Sequence, residues 1–240
     1  MSETAENPDS ATPYRDASKP QIRLSGIEKT YTRGAETLRV LHELDMTIVK
    51  GSFEAFMGPS GSGKSTLLNL IAGLDKPSKG EIEIDGKRID QMSEGQLARW
   101  RSNTIGFVFQ SFNLLPVLTA VENVELPLLL TKVPSSERRK RAETALKIVG
   151  LADRTSYYPR QLSGGQEQRV AIARAIVNDP LIVVADEPTG DLDRKSAEDI
   201  LSLFETLNKE LEKPIVMVTH DPHAAERASK VRNFDKGSFQ

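Results

Sequence analysis

The chain has 240 residues, 38% of them hydrophobic and 28% charged, which suits one large α/β domain or one core with a smaller helical insert. A net charge of −2 gives no global electrostatic case for a nucleic-acid partner, and the absence of cysteine excludes disulfides and thiolate metal sites. No apolar run approaches the roughly 18 residues of a transmembrane helix, and the N-terminus lacks the basic-then-apolar order of a signal peptide. A cytoplasmic location is therefore expected, with any membrane part supplied by a partner.

Residues 1–20 are mostly Ser, Glu, Asp, Pro and Ala, with little to bury. They are expected to form a disordered tail before a domain over 21–240. Residues 22–27 and 40–49 read as antiparallel strands separated by a polar turn around 32–35. Residues 53–57 read as a short buried strand that runs into Gly58-Pro59-Ser60-Gly61-Ser62-Gly63-Lys64-Ser65-Thr66, and a helix opens at 66–72. Residues 80–86 alternate between two turn glycines as a half-buried strand, and 105–109 form another that ends at Gln110. From 119 to 151 the periodicity turns helical, with Ala142, Leu146 and Val149 on one face and Pro127 and Pro134 as interruptions. A helix over 165–178 is stopped by Pro180, and 181–185 is an apolar run fit for a parallel strand buried on both faces. A helix over 195–211 puts Ile200, Phe204, Leu207 and Leu211 on one core stripe, and 214–218 is a last buried strand. Such alternation implies an α/β fold with a mostly parallel sheet, an antiparallel β part ahead of it and a helical subdomain at about 111–178.

Residues 58–65 fill every fixed position of the phosphate-binding pattern G-x-x-x-x-G-K-S/T in its strand–turn–helix context. In that geometry backbone N–H groups and a helix N-terminus converge on one spot, which suits a nucleoside triphosphate. Lys64 would place a point charge on the β- and γ-phosphates, and Ser65 a hydroxyl on Mg²⁺. Asp186 and Glu187 follow a buried strand, where open α/β sheets build their sites. Asp186 can hold Mg²⁺ through water, and Glu187 can orient or deprotonate the water that attacks the γ-phosphate. Leu162-Ser163-Gly164-Gly165-Gln166 opens a helix, which makes a second anion-seeking N-terminus. With one nucleotide per chain, a second copy of the chain can use that end.

With these motifs spread from Tyr31 to His220, the chain resembles the nucleotide-binding subunit of an ATP-binding cassette (ABC) transporter, a P-loop NTPase fold. The resemblance implies an ATPase that uses ATP and Mg²⁺, forms an ATP-dependent homodimer and drives a transmembrane permease subunit at the inner face of the membrane. Ser163, Gly164, Gly165 and Gln166 would clamp ATP held by the opposite copy. Glu187 would be the catalytic glutamate, His220 the switch histidine, and Gln110 the contact to Mg²⁺ and to the membrane partner. Gly190-Asp191-Leu192-Asp193 matches the D-loop, and Tyr31 matches the aromatic that stacks on adenine, with an exposed strand-end tyrosine as the alternative. His42 and His223 match nothing and read as surface or structural. Arg138-Arg139-Lys140-Arg141 reads as a solvated helix face.

The wording of residues 56–64, 109–116 and 185–190 is similar to the branch that holds the lipoprotein-releasing, macrolide-efflux and cell-division ATPases. Transport and mechanical signalling to a wall hydrolase both remain open within it. A chromosome or DNA-repair ATPase would carry a long coiled coil between Gln110 and Leu162, where this chain has prolines and no sustained heptads. A single phosphate loop excludes the two-cassette translation factors. The short ending suggests no C-terminal regulatory domain. Phe112, Leu114 and Leu115, just after Gln110, need a cover, either the helical subdomain itself or a short helix of the partner.

Overall fold

The computed structural model describes residues 20–34 and 36–240. The tail expected over 1–20 falls outside them except for Pro20, which opens the first strand. β1 (Pro20–Arg33) and β2 (Glu36–Val49) form a long antiparallel pair, and β1 also pairs with β4 (Lys79–Ile84), which carries the short β5 (Lys87–Arg88) at the edge. Both strands run well past the expected 22–27 and 40–49. The hydrophobic alternation marks only the half of β2 that is buried, whereas Glu36 to Arg39 stay exposed and are held by backbone pairing to β1.

A second sheet has the order β10-β9-β3-β8-β7-β6. β3 (Phe53–Met57), β6 (Ile105–Val108), β7 (Ile182–Asp186), β8 (Ile215–Thr219) and β9 (Lys230–Asp235) run parallel, and β10 (Ser238–Phe239) closes the edge antiparallel. Its central strands separate two hydrophobic cores. Ile182 and Val184 of β7 face one core while Val183 and Ala185 face the other, and Val216/Val218 and Ile215/Met217 of β8 split the same way. Burial on both faces explains why these strands read as unbroken apolar runs.

The first core, beneath the antiparallel sheet, packs α1 (Lys64–Ile71) and α2 (Glu94–Thr104) against Phe56 and Phe234. The second packs α5 (Gly164–Ile176) and α6 (Arg194–Leu211) against the sheet, with α3 (Ala120–Glu125) and α4 (Ser135–Ile148) packed on α5 in the same core. Pro127 and Pro134 act as expected. The 3₁₀ turn Leu126–Leu130 carries Pro127 in its first turn, and Pro134 occupies the N-cap of α4, where its missing N–H costs no helical hydrogen bond.

Several elements go beyond the sequence-based expectations. α2 carries few apolar residues, but Leu97 and Trp100 are buried, and Ser93 with Gln96 closes a capping box at its start. α7 (Pro222–Glu226) follows β8 and buries Ala224 and Ala225. The β9–β10 hairpin braces the phosphate loop. Gly237 donates its N–H to Ser62 O at 2.9 Å and accepts from His42 N at 3.0 Å. A Cβ on Gly237, where φ is +78°, would lie 2.2 Å from Val40 O, and one on Gly58 would lie 1.9 Å from Phe234 O. Glu54, mid-strand in β3 and buried, is answered by Arg232 of β9 at 2.5 Å, so an ion pair joins the hairpin to the sheet.

Candidate functional site

Because β3, β6, β7 and β8 are parallel, the segments that leave them emerge on one edge of the sheet. The phosphate loop leaves β3, Gln110 follows β6, Asp186 ends β7 with Glu187 after it, and His220 follows β8. Residues far apart in sequence meet there around a cavity of about 470 Å³, lined by Val40, Ser60, Gly61, Gly63, Lys64, Ser65, Thr66, Gln110, Glu187 and His220. Gly58, Pro59 and Ser62 frame the loop rather than face the cavity. The Gly58 and Pro59 carbonyls accept from Lys64 Nζ at 2.7 and 2.8 Å, and Ser62 is buried.

Gly63 stands at the N-cap of α1 with φ 104°, a conformation that leaves the first helical N–H groups free to point into the cavity. Burial lowers the Lys64 ammonium below its ordinary value, and the carboxylates of Glu187 and Asp186 oppose this. Ser65 Oγ donates to Asp186 Oδ1 at 2.9 Å. Burial raises Asp186 above the usual carboxylate value, with Glu187 adding to the rise and Ser65 and Lys64 opposing it.

A carboxylate raised in the folded state binds protons more tightly there than when unfolded. Its contribution to stability therefore falls as pH rises through that window, and at neutral pH its ionised form is a net cost. Asp186→Asn is accordingly expected to raise the melting temperature of the nucleotide-free protein. The same change should abolish the further stabilisation by Mg-ATP over ATP with a chelator. Thermal melts of both forms under the two conditions check it.

Glu187 has φ 48°, unusual for a residue with a side chain, and its N–H donates to Val218 O at 3.0 Å. Its carboxylate is gripped by His220, through Nδ1 at 2.9 Å and the backbone N–H at 3.4 Å. Gln110 Nε2 donates to Asp191 Oδ1 at 2.8 Å, which leaves Oε1 as its atom able to face a cation. The hard oxygens of Ser65 and Asp186 fit Mg²⁺. Among the described residues no cluster of three or more His, Cys, Asp or Glu could hold a metal by itself. That suits an ion held by one carboxylate and a hydroxyl together with substrate phosphates.

The 162–166 segment is not at this cavity. Ser163 caps α5, accepting from Gln166 N at 3.4 Å, while Ser163 N donates to Gln166 Oε1 at 3.0 Å. Ser163, Gly165 and Gln166 line a separate cavity of about 260 Å³ with Arg169, Ser196 and Asp199. A Cβ on Gly165 would come within 3.0 Å of Ser196, and one on Gly164 would meet Leu192 and Phe112 at ordinary contact distance. Asp193 is the N-cap of α6, accepting from Ser196 N at 3.0 Å and Ser196 Oγ at 2.7 Å. Tyr31 is outside the cavity lining, with its hydroxyl donated to Asp75 Oδ2 at 2.8 Å. His42 donates its backbone N–H to the hairpin and lays its ring beside Gly237, and His223 pairs with Glu198 on α6.

Two α5 residues that carried no signal in sequence join the separate parts. Gln168, fully buried, donates from Nε2 to Phe109 O at 3.2 Å and to Pro188 O at 2.7 Å. Arg174 donates to Asn113 O at 2.5 Å and Phe112 O at 2.7 Å, carbonyls of two successive residues with positive φ. The helix that starts at Ser163 is thus tied to the strand end before Gln110 and to the loop after Glu187.

A glycine-rich loop on a helix N-terminus, a strand-end Asp beside its Ser, and a Glu held by a His define a nucleoside-triphosphate hydrolase of the phosphate-loop class. The ABC transporter family profile matches residues 41–190. The chain is 53% identical over 209 residues to the ABC transporter ATP-binding protein YvrO of Bacillus subtilis, covering 87% of this chain and 91% of that one. It is 49% identical over 212 residues to the macrolide export ATP-binding/permease protein MacB 1/2 of Paracoccus denitrificans, covering 88% of this chain and 32% of that one. A solved dimeric post-hydrolysis state of the ATP-binding cassette MJ0796 bound to ADP and Pi superposes with a TM-score of 0.83 at 45% identity, covering 91% and 96% of the two chains. The chain belongs to the ABC transporter family, and within it is an ATPase cassette.

Proposed function

We propose that the chain is the ATP-driven motor subunit of a transporter, in which two copies close around two ATP and drive a transmembrane permease. The observation that carries this is the separation of two anion-seeking ends. Lys64, Ser65, Glu187 and His220 surround one cavity, while Ser163 and Gly165 face another. A head-to-tail pair of copies would bring the Ser163 end of one onto the phosphate held by the other. Within each site, Lys64 and the loop amides hold the β- and γ-phosphates, Ser65 and Asp186 hold Mg²⁺, and Mg²⁺ when bound neutralises charge on the phosphates. Glu187 takes the proton of the attacking water, His220 keeps its carboxylate oriented, and Gln110 reports the γ-phosphate to the partner. Tyr31 stacks on adenine, and Asp193, by capping α6, shapes the face on which the copies meet. Dimers should form with ATP in the Glu187→Gln variant and not with ADP. Light scattering with each nucleotide decides it, and a monomer at saturating Mg-ATP would rule out the paired arrangement.

The membrane partner we propose is a permease of the export or extraction kind, reached from the cytoplasmic face, as suggested by the relative in which a permease shares the chain with the matching ATP-binding part. No helix among the described residues is long and apolar enough to cross a membrane. The helical subdomain carries exposed apolar side chains suited to a partner. Leu114 packs against the core, but Leu115 is 46% exposed, and Val117, Leu129 and Leu130 are more so. The Leu115 backbone is pinned by the buried Asn123, at 2.7 Å through N–H and 3.1 Å through C=O. Its side chain can therefore change without loss of the loop. Leu115→Glu is expected to leave the isolated chain folded with its own ATPase rate, and to remove stimulation by the permease in reconstituted membranes. Unfolding of the variant would make this loop core and end the coupling assignment.

A further inference from the structure

Tyr31 is held by a pair of residues with no assigned role. Lys29 and Tyr31 lie two apart on β1, and their side chains meet. Lys29 is buried, and its Nζ sits 4.7 Å from the centroid of the Tyr31 ring. The same ammonium donates to Asp75 Oδ1 at 2.6 Å and to Lys76 O at 2.7 Å. Asp75 takes the Tyr31 hydroxyl on its other oxygen and the Lys76 N–H on Oδ1 at 2.7 Å. Burial alone would raise the Asp75 carboxyl, yet these donors, Lys29 first, hold it below the ordinary value. Asp75 is itself anchored, since its N–H donates to Asn69 O in the last turn of α1. At the other end of α1, Thr66 lines the phosphate cavity. The ring is thus fixed to the helix that begins in the phosphate loop.

We infer that Lys29 and Asp75 are positioning residues for Tyr31, setting the ring at a fixed distance from the phosphate cavity with its exposed surface offered to a flat nucleobase. The inference rests on the reading of Tyr31 as the base-stacking residue. The ammonium attracts the ring and so holds its plane, while Asp75 stops the hydroxyl from swinging. Ordering before the ligand arrives removes a rotamer cost that binding would otherwise bear.

The test uses the intact chain and compares affinity for Mg-ATP with that for Mg-tripolyphosphate, which has the phosphates and no base. Asp75→Asn, Lys29→Met and Tyr31→Phe are each expected to lower ATP affinity about 3- to 10-fold, with tripolyphosphate affinity held. In a Tyr31→Ala background, Asp75→Asn should add nothing. Equal loss for both ligands would mean that the pair merely supports α1 and would overturn the inference. An unchanged ATP-to-tripolyphosphate ratio in Asp75→Asn and Lys29→Met, with the ratio collapsed in Tyr31→Ala, would overturn the inference alone. An unchanged ratio in Tyr31→Ala would overturn the stacking reading and the inference with it.

Discussion

Glu187→Gln is expected to lower ATP turnover by about 10²–10⁴-fold with ATP binding retained. The substitution is nearly isosteric, so the backbone at φ 48° and the hydrogen bond from Glu187 N to Val218 O need not move. The amide oxygen can still accept from His220, which now approaches Oε1 at 2.9 Å. What is lost is the proton acceptor. Binding depends on Lys64, Ser65 and the loop amides, none of which touch the altered atom directly. Single-turnover hydrolysis and nucleotide affinity measured on one preparation separate the two. Wild-type turnover in Glu187→Gln would remove Glu187 as base, and loss of affinity would mean that its charge chiefly holds the loop.

Lys64→Ala should fail earlier, at binding, with ATP affinity lowered by about 10- to 10²-fold, as expected for loss of one or more charge-assisted hydrogen bonds. Lys64 is only 5% exposed and spans the loop, donating to the Gly58 and Pro59 carbonyls. Its removal takes a cation from the phosphates and also releases two carbonyls that shape the loop. Because burial disfavours the Lys64 ammonium while Glu187 and Asp186 favour it, its loss also leaves two neighbouring carboxylates without their counter-charge. Anionic phosphate should then be repelled. Equilibrium nucleotide binding, with circular dichroism to confirm the fold, checks this. Wild-type affinity in a folded Lys64→Ala protein would reject the loop as the phosphate cradle.

The phosphate loop, Asp186–Glu187 and the 162–166 segment were legible because each couples a local backbone device to a strand or helix boundary, and both are written in contiguous residues. The apolar runs of β7 and β8 were legible for the same reason, since burial on both faces requires an unbroken hydrophobic stretch. α2 was missed because Leu97 and Trp100 are its only buried residues, too few to set a period. The β9–β10 hairpin was missed because β9 buries only Phe234 and is made a strand by parallel pairing with β3.

The sequence by itself determined which chemistry is present: a lysine, a hydroxyl and two carboxylates in the order and spacing of a phosphate-loop ATPase. It also determined that the core would be a mostly parallel sheet. Only the tertiary structure decided which of these groups share a cavity. Parallel pairing carries the ends of β3, β6, β7 and β8 to one edge and leaves Ser163 on another face. Only the tertiary structure, too, supplied the contacts that hold the groups in place: His220 on Glu187, Asp191 on Gln110, Gly237 on the phosphate loop, and Gln168 between two strand ends. The physical reason is range. A turn or a helix start is set by neighbours a few residues away, whereas a hydrogen bond between distant strands exists only after the sheet has fixed its register.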